Sequence, residues 1–488
     1  MKKLLITTVC LALFLNGCNS VGPNYVRPQI DSPAKWSEAK EQTEVKGAIE
    51  QTAWWKSFGD TVLDNLIEQA VKTNLDIQQA QARIVQARAD IVTAGASAVP
   101  SVDTSASITR SKISENTTAI SVGTPTTTLY KAGFDAQWEI DVFGGIRRSQ
   151  EAAYARYDAG VEDLRATTLT LLGDVAKNYI DLRSNQEQLA ITLRNVESQK
   201  QTVDVTRERY RLGLTSYLDV AQAEAQKAST ESDAPKLQAS IKQSIHRLGI
   251  LLGKSPDTLK AELSEAKSLP KYDGVIAAGL PCELLSRRPD LRKAERQLAA
   301  ASADIGIATA DLYPKFDLTG GLGLQSVSSS RFSQASSRYW SVVPGVSLPL
   351  FNSGKTKANI ESKRAVYDET LAKYRSVFNS ALEDVENALS SYYAEQERHL
   401  ILAESIRSNE EALELANERY KRGLTSFIDV LVTEENLYSA QSSLSQSDAN
   451  LLTHLISLYK AIGGGWDAVD VQTVRETASL ERNVGSSR

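Results

Sequence analysis

The sequence predicts an α+β membrane protein made from one duplicated unit, with four transmembrane β-strands and long antiparallel helical hairpins in each chain. Three observations predict it. The stretch Glu208–Val220 (ERYRLGLTSYLDV) recurs as Glu418–Val430 (ERYKRGLTSFIDV), with nine of 13 positions identical at an offset of 210. Apolar residues recur every seven positions through long proline-free stretches. Elsewhere, apolar and polar residues alternate with a period of two, over lengths that suit a tilted membrane strand.

The duplication extends beyond the repeated motif. Asp174-Val175 maps to Asp384-Val385 at offset 210, while Asp76, Asp90 and Pro100 map to Asp290, Asp304 and Pro314 at offset 214. The offset changes between Pro100 and Gly144, and again between Pro314 and Gly354, which marks loops of different length. The first repeat covers residues 60–253 and the second 287–462. Residues 18–59, 254–286 and 463–488 are irregular segments outside the repeats. A self-similar chain of 488 residues reads as one quasi-symmetric body.

Residues 1–17 read as a targeting segment. Lys2-Lys3 precede an apolar run, Leu4 to Leu15, that is too short to span a bilayer as a helix. The run ends in Leu15-Asn16-Gly17-Cys18, which is similar to a bacterial lipobox, so Cys18 is expected to be the acylated first residue of the mature chain. Cys10 leaves with the leader, so Cys18 and Cys282 remain and no disulfide framework is expected. Cys282 reads as a small structural residue. The net charge is −5, and no basic stripe appears, which excludes nucleic acid as the expected partner.

From Gly144 to Arg209 there is no proline. Val161, Thr168, Val175, Leu182, Leu189, Val196, Val203 and Tyr210 form a heptad seam, and Leu371 to Tyr420 repeats it. A sustained seven-residue period imposes a left-handed supercoil. A helix of about 65 residues is about 100 Å long, far more than a compact globule needs. The other seam, Leu164, Leu171, Asn178, Asn185, Thr192 and Gln199, turns polar, and predicts a helix wet on two sides. Gly213 and Gly423 follow each long helix where a glycine C-cap belongs. Thr215-Ser216 and Thr425-Ser426 then read as N-caps of returning helices that run to about Leu252 and Ile462. The hairpin tips are thus residues 210–217 and 420–427. Pro235 is expected to kink the first return helix.

The strands fall in the segments of about 100–143 and 314–351. Tyr130, Ala132, Phe134, Ala136, Trp138, Ile140 and Val142 alternate with Lys131, Gly133, Asp135, Gln137, Glu139 and Asp141. Trp340, Val342, Pro344, Val346, Leu348 and Leu350 alternate likewise, with weaker partners at Val102–Ile108 and Phe316–Leu324. Open strand edges are forbidden in lipid, and four strands cannot close a barrel. Chains must therefore pool strands, two giving eight or three giving twelve. A lipid-anchored coiled-coil stalk would explain the heptads and Cys18 but would leave these strands unused.

With these features in order, the mature chain resembles the TolC-type outer-membrane efflux channels, in their NodT-like, OprM-like lipoprotein branch. The carrying motifs are Val21-Gly-Pro-Asn-Tyr-Val-Arg-Pro28, Trp54-Trp55-Lys-Ser-Phe58, Gly279-Leu-Pro-Cys-Glu-Leu-Leu-Ser-Arg-Arg-Pro-Asp-Leu291, both tips, and Ala461-Ile-Gly-Gly-Gly-Trp466. The resemblance implies a homotrimer with a twelve-stranded barrel, a helical periplasmic tunnel and a small mixed equatorial region. It places the chain in the cell outer membrane, acylated (palmitate) at Cys18 and extending into the periplasm. There it would passively conduct drugs or other small toxic compounds from an inner-membrane pump and a periplasmic adaptor to the exterior, a role in antibiotic resistance.

The resemblance also implies site residues. Leu212, Gly213, Leu214, Thr215, Arg422, Gly423, Leu424 and Thr425 would mesh with the adaptor, and exposed leucines at a turn gain little unless a partner covers them. Asp429, Asp219, Tyr210 and Tyr420 would form the periplasmic gate, with Asp429 in a ring of like charges and Asp219 as a tyrosine partner. Helix-dipole stabilisation is the competing explanation for both aspartates. Val432 stands where a second ring aspartate often sits. His246, His399 and His454 are scattered, and His-Glu-x-x-His, Cys-x-x-Cys and phosphate-loop spacings do not occur. No enzyme, cofactor or metal site is expected. The single methionine, Met1, lies in the leader, which disfavours a thioether path for Cu(I).

Overall fold

The computed structural model describes residues 20–39, 53–112, 114, 126–272 and 280–468. The leader and Cys18, with the acylation expected there, lie outside the described residues. In chain order the helices and strands are α1 (Thr61–Thr73), α2 (Leu75–Ala96), β1 (Ser101–Ser111), β2 (Thr127–Ile140), α3 (Gly145–Arg211), α4 (Tyr217–Glu231), α5 (Asp233–Leu251), α6 (Lys260–Leu263), α7 (Leu284–Arg287), α8 (Pro289–Ala310), β3 (Lys315–Ser326), β4 (Arg338–Ser347), α9 (Lys355–Lys421) and α10 (Phe427–Ala461). The long helices α3 and α9 are 67 residues each, an equality that the duplicated heptads foreshadow. No helix among the described residues is long and apolar enough to cross a membrane.

The chain divides into two compact units. The first comprises Met1–Gln29, Arg83–Gly160 and Lys293–Arg375. It holds one antiparallel sheet in the order β1-β2-β3-β4. The register confirms the alternation read from sequence: Thr104, Phe134, Leu322 and Trp340 form one cross-strand row, while Asp103, Asp135, Gly321 and Ser341 form a row on the other face. Phe134, Leu322 and Trp340 are 58%, 60% and 77% exposed, so this apolar face has no cover within the chain. Two strands stop short of the expected limits. β2 ends at Ile140 and not Val142, and β4 ends at Ser347 and not Leu350. Pro349 has no amide proton to continue a ladder, and Ser353 (φ 52°) and Gly354 (φ 83°) then turn the backbone into α9.

Below the sheet, the first unit packs helices through small residues. Ala155 of α3 meets Ala299 and Ala300 of α8, with Tyr25 against them. Arg156 clamps Asp304 with two bonds of 2.8 and 2.7 Å. The N-terminal arm is held tightly. Arg148, 4% exposed, donates to the carbonyls of Ser20, Val21 and Gly22, to the Asn24 side chain and to Glu151. Gly22 (φ +87°) approaches so near that a Cβ there would lie 2.5 Å from Gly306 Cα. Tyr25 donates to Glu295 at 2.6 Å, and burial together with that carboxylate raises the phenol's pKa above its ordinary value.

The second unit comprises Ile30–Ala82, Val161–Arg292 and Ser376–Arg488. Here the scattered sequence motifs meet. Trp54 stacks on Tyr459 at 5.2 Å and packs edge-on against Trp55 and Phe58. Trp466 donates to the Arg287 carbonyl at 2.9 Å and lies under the guanidinium groups of Arg165 and Arg292. Arg288, 9% exposed, joins Asp290, Asp384 and the Ala461 carbonyl. Asp60 caps α1 through the amides of Val62 and Leu63, and accepts from Tyr179 at 2.6 Å.

Two helical expectations need comment. The first return helix is interrupted at Ser232, three residues before Pro235, because proline leaves the Glu231 carbonyl without its helical donor. The second, α10, runs unbroken for 35 residues. The polar seam of α3 is not wet as its composition suggested. Thr192 and Gln199 are 1% and 3% exposed. Within the seam Thr192 bonds Tyr438 of α10, and beside it Gln188 bonds Ser442 and Asn195 bonds Gln441. A polar helix face can be buried when both sides supply donors and acceptors, and composition alone does not distinguish this from exposure.

Candidate functional site: the paired hairpin tips

Each long helix ends in the same hydrogen-bonded turn. Leu214 N donates to Arg209 O at 2.8 Å and Gly213 N to Tyr210 O at 2.9 Å. Leu424 N and Gly423 N repeat both bonds at the same distances. This pair of bonds is the Schellman cap, which requires a left-handed residue. Gly213 (φ +71°) and Gly423 (φ +72°) supply it. The turn forces the next residues outward, so Leu212, Leu214 and Leu424 are 63%, 61% and 64% exposed. Arg422 replaces Leu212 in the second tip and pairs with Glu418 at 3.1 Å.

The aspartates sit in the first turn of each return helix. Asp219 accepts from the hydroxyls of Thr215 and Ser216, and Asp429 from that of Thr425. Both carboxylates therefore stabilise their own turn, as the helix-dipole explanation expects. Asp429 is exposed and Asp219 half-buried. Within one chain, Tyr420 and Asp219 are not joined. The Tyr420 hydroxyl is buried without a hydrogen-bond partner, and its ring packs on Phe427 at 5.2 Å.

Three contacts that sequence reasoning missed complete the site. Arg209 lies 4.7 Å from the Tyr420 ring centroid and donates to the Lys421 carbonyl at 3.0 Å, so it ties one hairpin to the other. The available signal was its identity in both repeats, one residue before each tip tyrosine. Val203 and Ala223 pack against Ala416, Tyr420, Phe427 and Val430. Deeper along the same seam, Glu434 is 6% exposed and accepts from Thr202 at 2.6 Å. Burial raises the pKa of its carboxyl, and the Thr202 bond offsets part of that.

The uncovered strand face, the duplicated long hairpins and the matching tips coincide with one family of proteins. Residues 66–254 and 280–464 match the family described as outer membrane efflux protein. The chain belongs to that family. It is 32% identical over 463 residues to nodulation protein T of Rhizobium leguminosarum bv. trifolii, covering 95% of this chain and 98% of the relative. It is also 32% identical to the pyoverdine export outer membrane protein OpmQ of Pseudomonas putida, covering 94% of this chain and 97% of the relative. Among solved structures, the outer-membrane channel OprN superposes with a TM-score of 0.87 at 34% identity, over 91% of this chain and 99% of that one. This efflux protein is thus an outer-membrane channel of efflux pumps that extends into the periplasm, and not an enzyme. The family forms trimers that work with pump partners. The open edges of the four-stranded sheet fit such pooling, because unpaired strand edges cannot stand in lipid.

Proposed function

We propose that three copies of this chain form a passive exit duct anchored by an acyl group on Cys18, and that a periplasmic adaptor docks on the tips to connect it to an inner-membrane pump. The cargo is proposed to be small organic compounds, including drugs. OpmQ, a relative by sequence, is named for exporting one such class of molecule. The observation that carries the docking is the trio of leucines, Leu212, Leu214 and Leu424, held in the open by rigid Schellman turns. Gly213, Thr215, Arg422, Gly423 and Thr425 complete the surface. Asp219, Asp429, Tyr210 and Tyr420 are the proposed gate, in which three copies of the exposed Asp429 would present a cation-favouring constriction.

The test is Leu424→Asp. Its side chain makes no core contact, so the trimer should still form and insert, while drug accumulation in cells rises to the level of a channel deletion. Normal efflux with Leu424→Asp would remove the docking role. Loss of the trimer would mean that Leu424 serves assembly instead.

A further inference from the structure

One chain contains one complete seam between hairpin tips and the two separated halves of another. In the complete seam, Arg209 of the first repeat covers the ring of Tyr420 in the second, and Val203 packs on the same cluster. The cation and the rings have counterparts at offset 210: Arg419 for Arg209, Tyr210 for Tyr420 and Tyr217 for Phe427. The counterparts have the same local geometry. Tyr210 and Tyr217 hold ring centroids 5.7 Å apart at 60°, and Tyr420 and Phe427 hold theirs 5.2 Å apart at 50°. The two pairs differ in cover. Tyr210 and Tyr217 are 48% and 62% exposed, against 6% and 2% for Tyr420 and Phe427. Arg419 is exposed, and among the described residues its guanidinium has no hydrogen bond or ion pair.

We propose that a second copy of this chain completes the seam, setting its Arg419 over Tyr210 and covering the Tyr210–Tyr217 ring pair. The occupant is another copy because this chain already carries, in the exposed Arg419, the complement that the exposed rings lack. Arg209 also donates to the Lys421 carbonyl, so Arg419 donates to the Arg211 carbonyl of the neighbour. The contact is head-to-tail, and repetition closes it into a ring of alternating within-chain and between-chain seams. This rests on the reading of the channel as an assembly of identical copies, and adds which residues tie one copy to the next at the periplasmic end.

The experiment uses the full acylated chain with Cys282→Ser, so that no native thiol remains. Tyr210→Cys with Arg419→Cys, treated with a short bis-maleimide, should convert most of the protein into covalently joined two- and three-chain species. Arg209→Cys with Tyr420→Cys is the calibration, and should link within a chain without raising its mass. If the calibration pair links, the detergent-solubilised trimer is intact by mass, and the test pair stays single-chain, the proposed seam is wrong while the duct stands. If no multimer exists by mass, both are wrong. As an independent readout, Arg419→Ala should dissociate at a lower temperature than the parent, and Arg419→Lys, which keeps the cation, should restore most of the shift. Equal dissociation of parent and Arg419→Ala would also overturn the seam.

Discussion

The two hairpin tips share a backbone and differ in almost everything that surrounds it. Both carry the same Schellman bonds, a left-handed glycine and a threonine-bonded aspartate in the first turn of the return helix. In the second tip the aromatic pair is sealed, whereas in the first it faces outward. Glu434 of the second hairpin is buried on Thr202, while its counterpart Glu224 is solvent-accessible and paired with Arg207 at 2.5 Å. Duplicated sequence therefore reproduces what is decided locally. Burial is decided by which neighbour lies on which side, and a linear chain gives its two repeats different neighbours.

The comparison is broken most strongly by removing the aromatic anchors. Phe427→Ala should cost about 3–5 kcal/mol at the second tip, because the ring is fully buried and a cavity remains. Hydrogen exchange of the tip amides would read this as lost protection. Tyr217→Ala removes no within-chain core, so its effect should appear in trimer yield while the chain's own packing persists. Equal loss of tip protection in both variants would contradict the asymmetry.

A smaller effect reports on the buried glutamate of the second hairpin. Burial raises the pKa of Glu434, so the folded chain holds that proton more tightly than the unfolded chain. The folded state then binds more protons between the unfolded and folded pKa values, and stability falls as pH rises through that window. Glu434→Gln should flatten this part of the pH profile of thermal unfolding, measured as the difference from parent upward from about pH 4. A parent profile that Glu434→Gln does not alter would count against the buried carboxyl.

The smallest effects should be the same in both tips. Gly213→Ala and Gly423→Ala each place a Cβ in open space, with nothing within 4 Å. The cost is the left-handed backbone alone, about 1–2 kcal/mol. Thermal unfolding that differs between the two variants by more than this would show that the turns are not locally equivalent.

The pattern of what sequence revealed follows the same division. The tips, the strand alternation and the long helices were legible because each depends on residues close together in the chain. Gly213 needs only its own turn, and Trp340 only its period-two neighbours. The polar seam was misread because Thr192 and Gln199 look solvated until Tyr438 and its helix are placed against them. Arg209, Arg148 and Glu434 were invisible for the same reason. Their partners lie between 124 and 232 residues away where the structure brings them together, as with Arg148–Asn24 and Thr202–Glu434. The strand limits were overextended because alternation continues through Leu348 and Leu350 although the ladder ends at Ser347.

The pinned arm has a consequence for the order of events in time. Ser20 to Tyr25 emerge early during synthesis, yet their partners include Glu295 and Gly306. Some 270 further residues must appear before Tyr25 can meet Glu295. The beginning of the polypeptide is therefore locked only after the second repeat has begun, so that closing this clasp can serve as a sign that the chain has passed from the first repeat into the second.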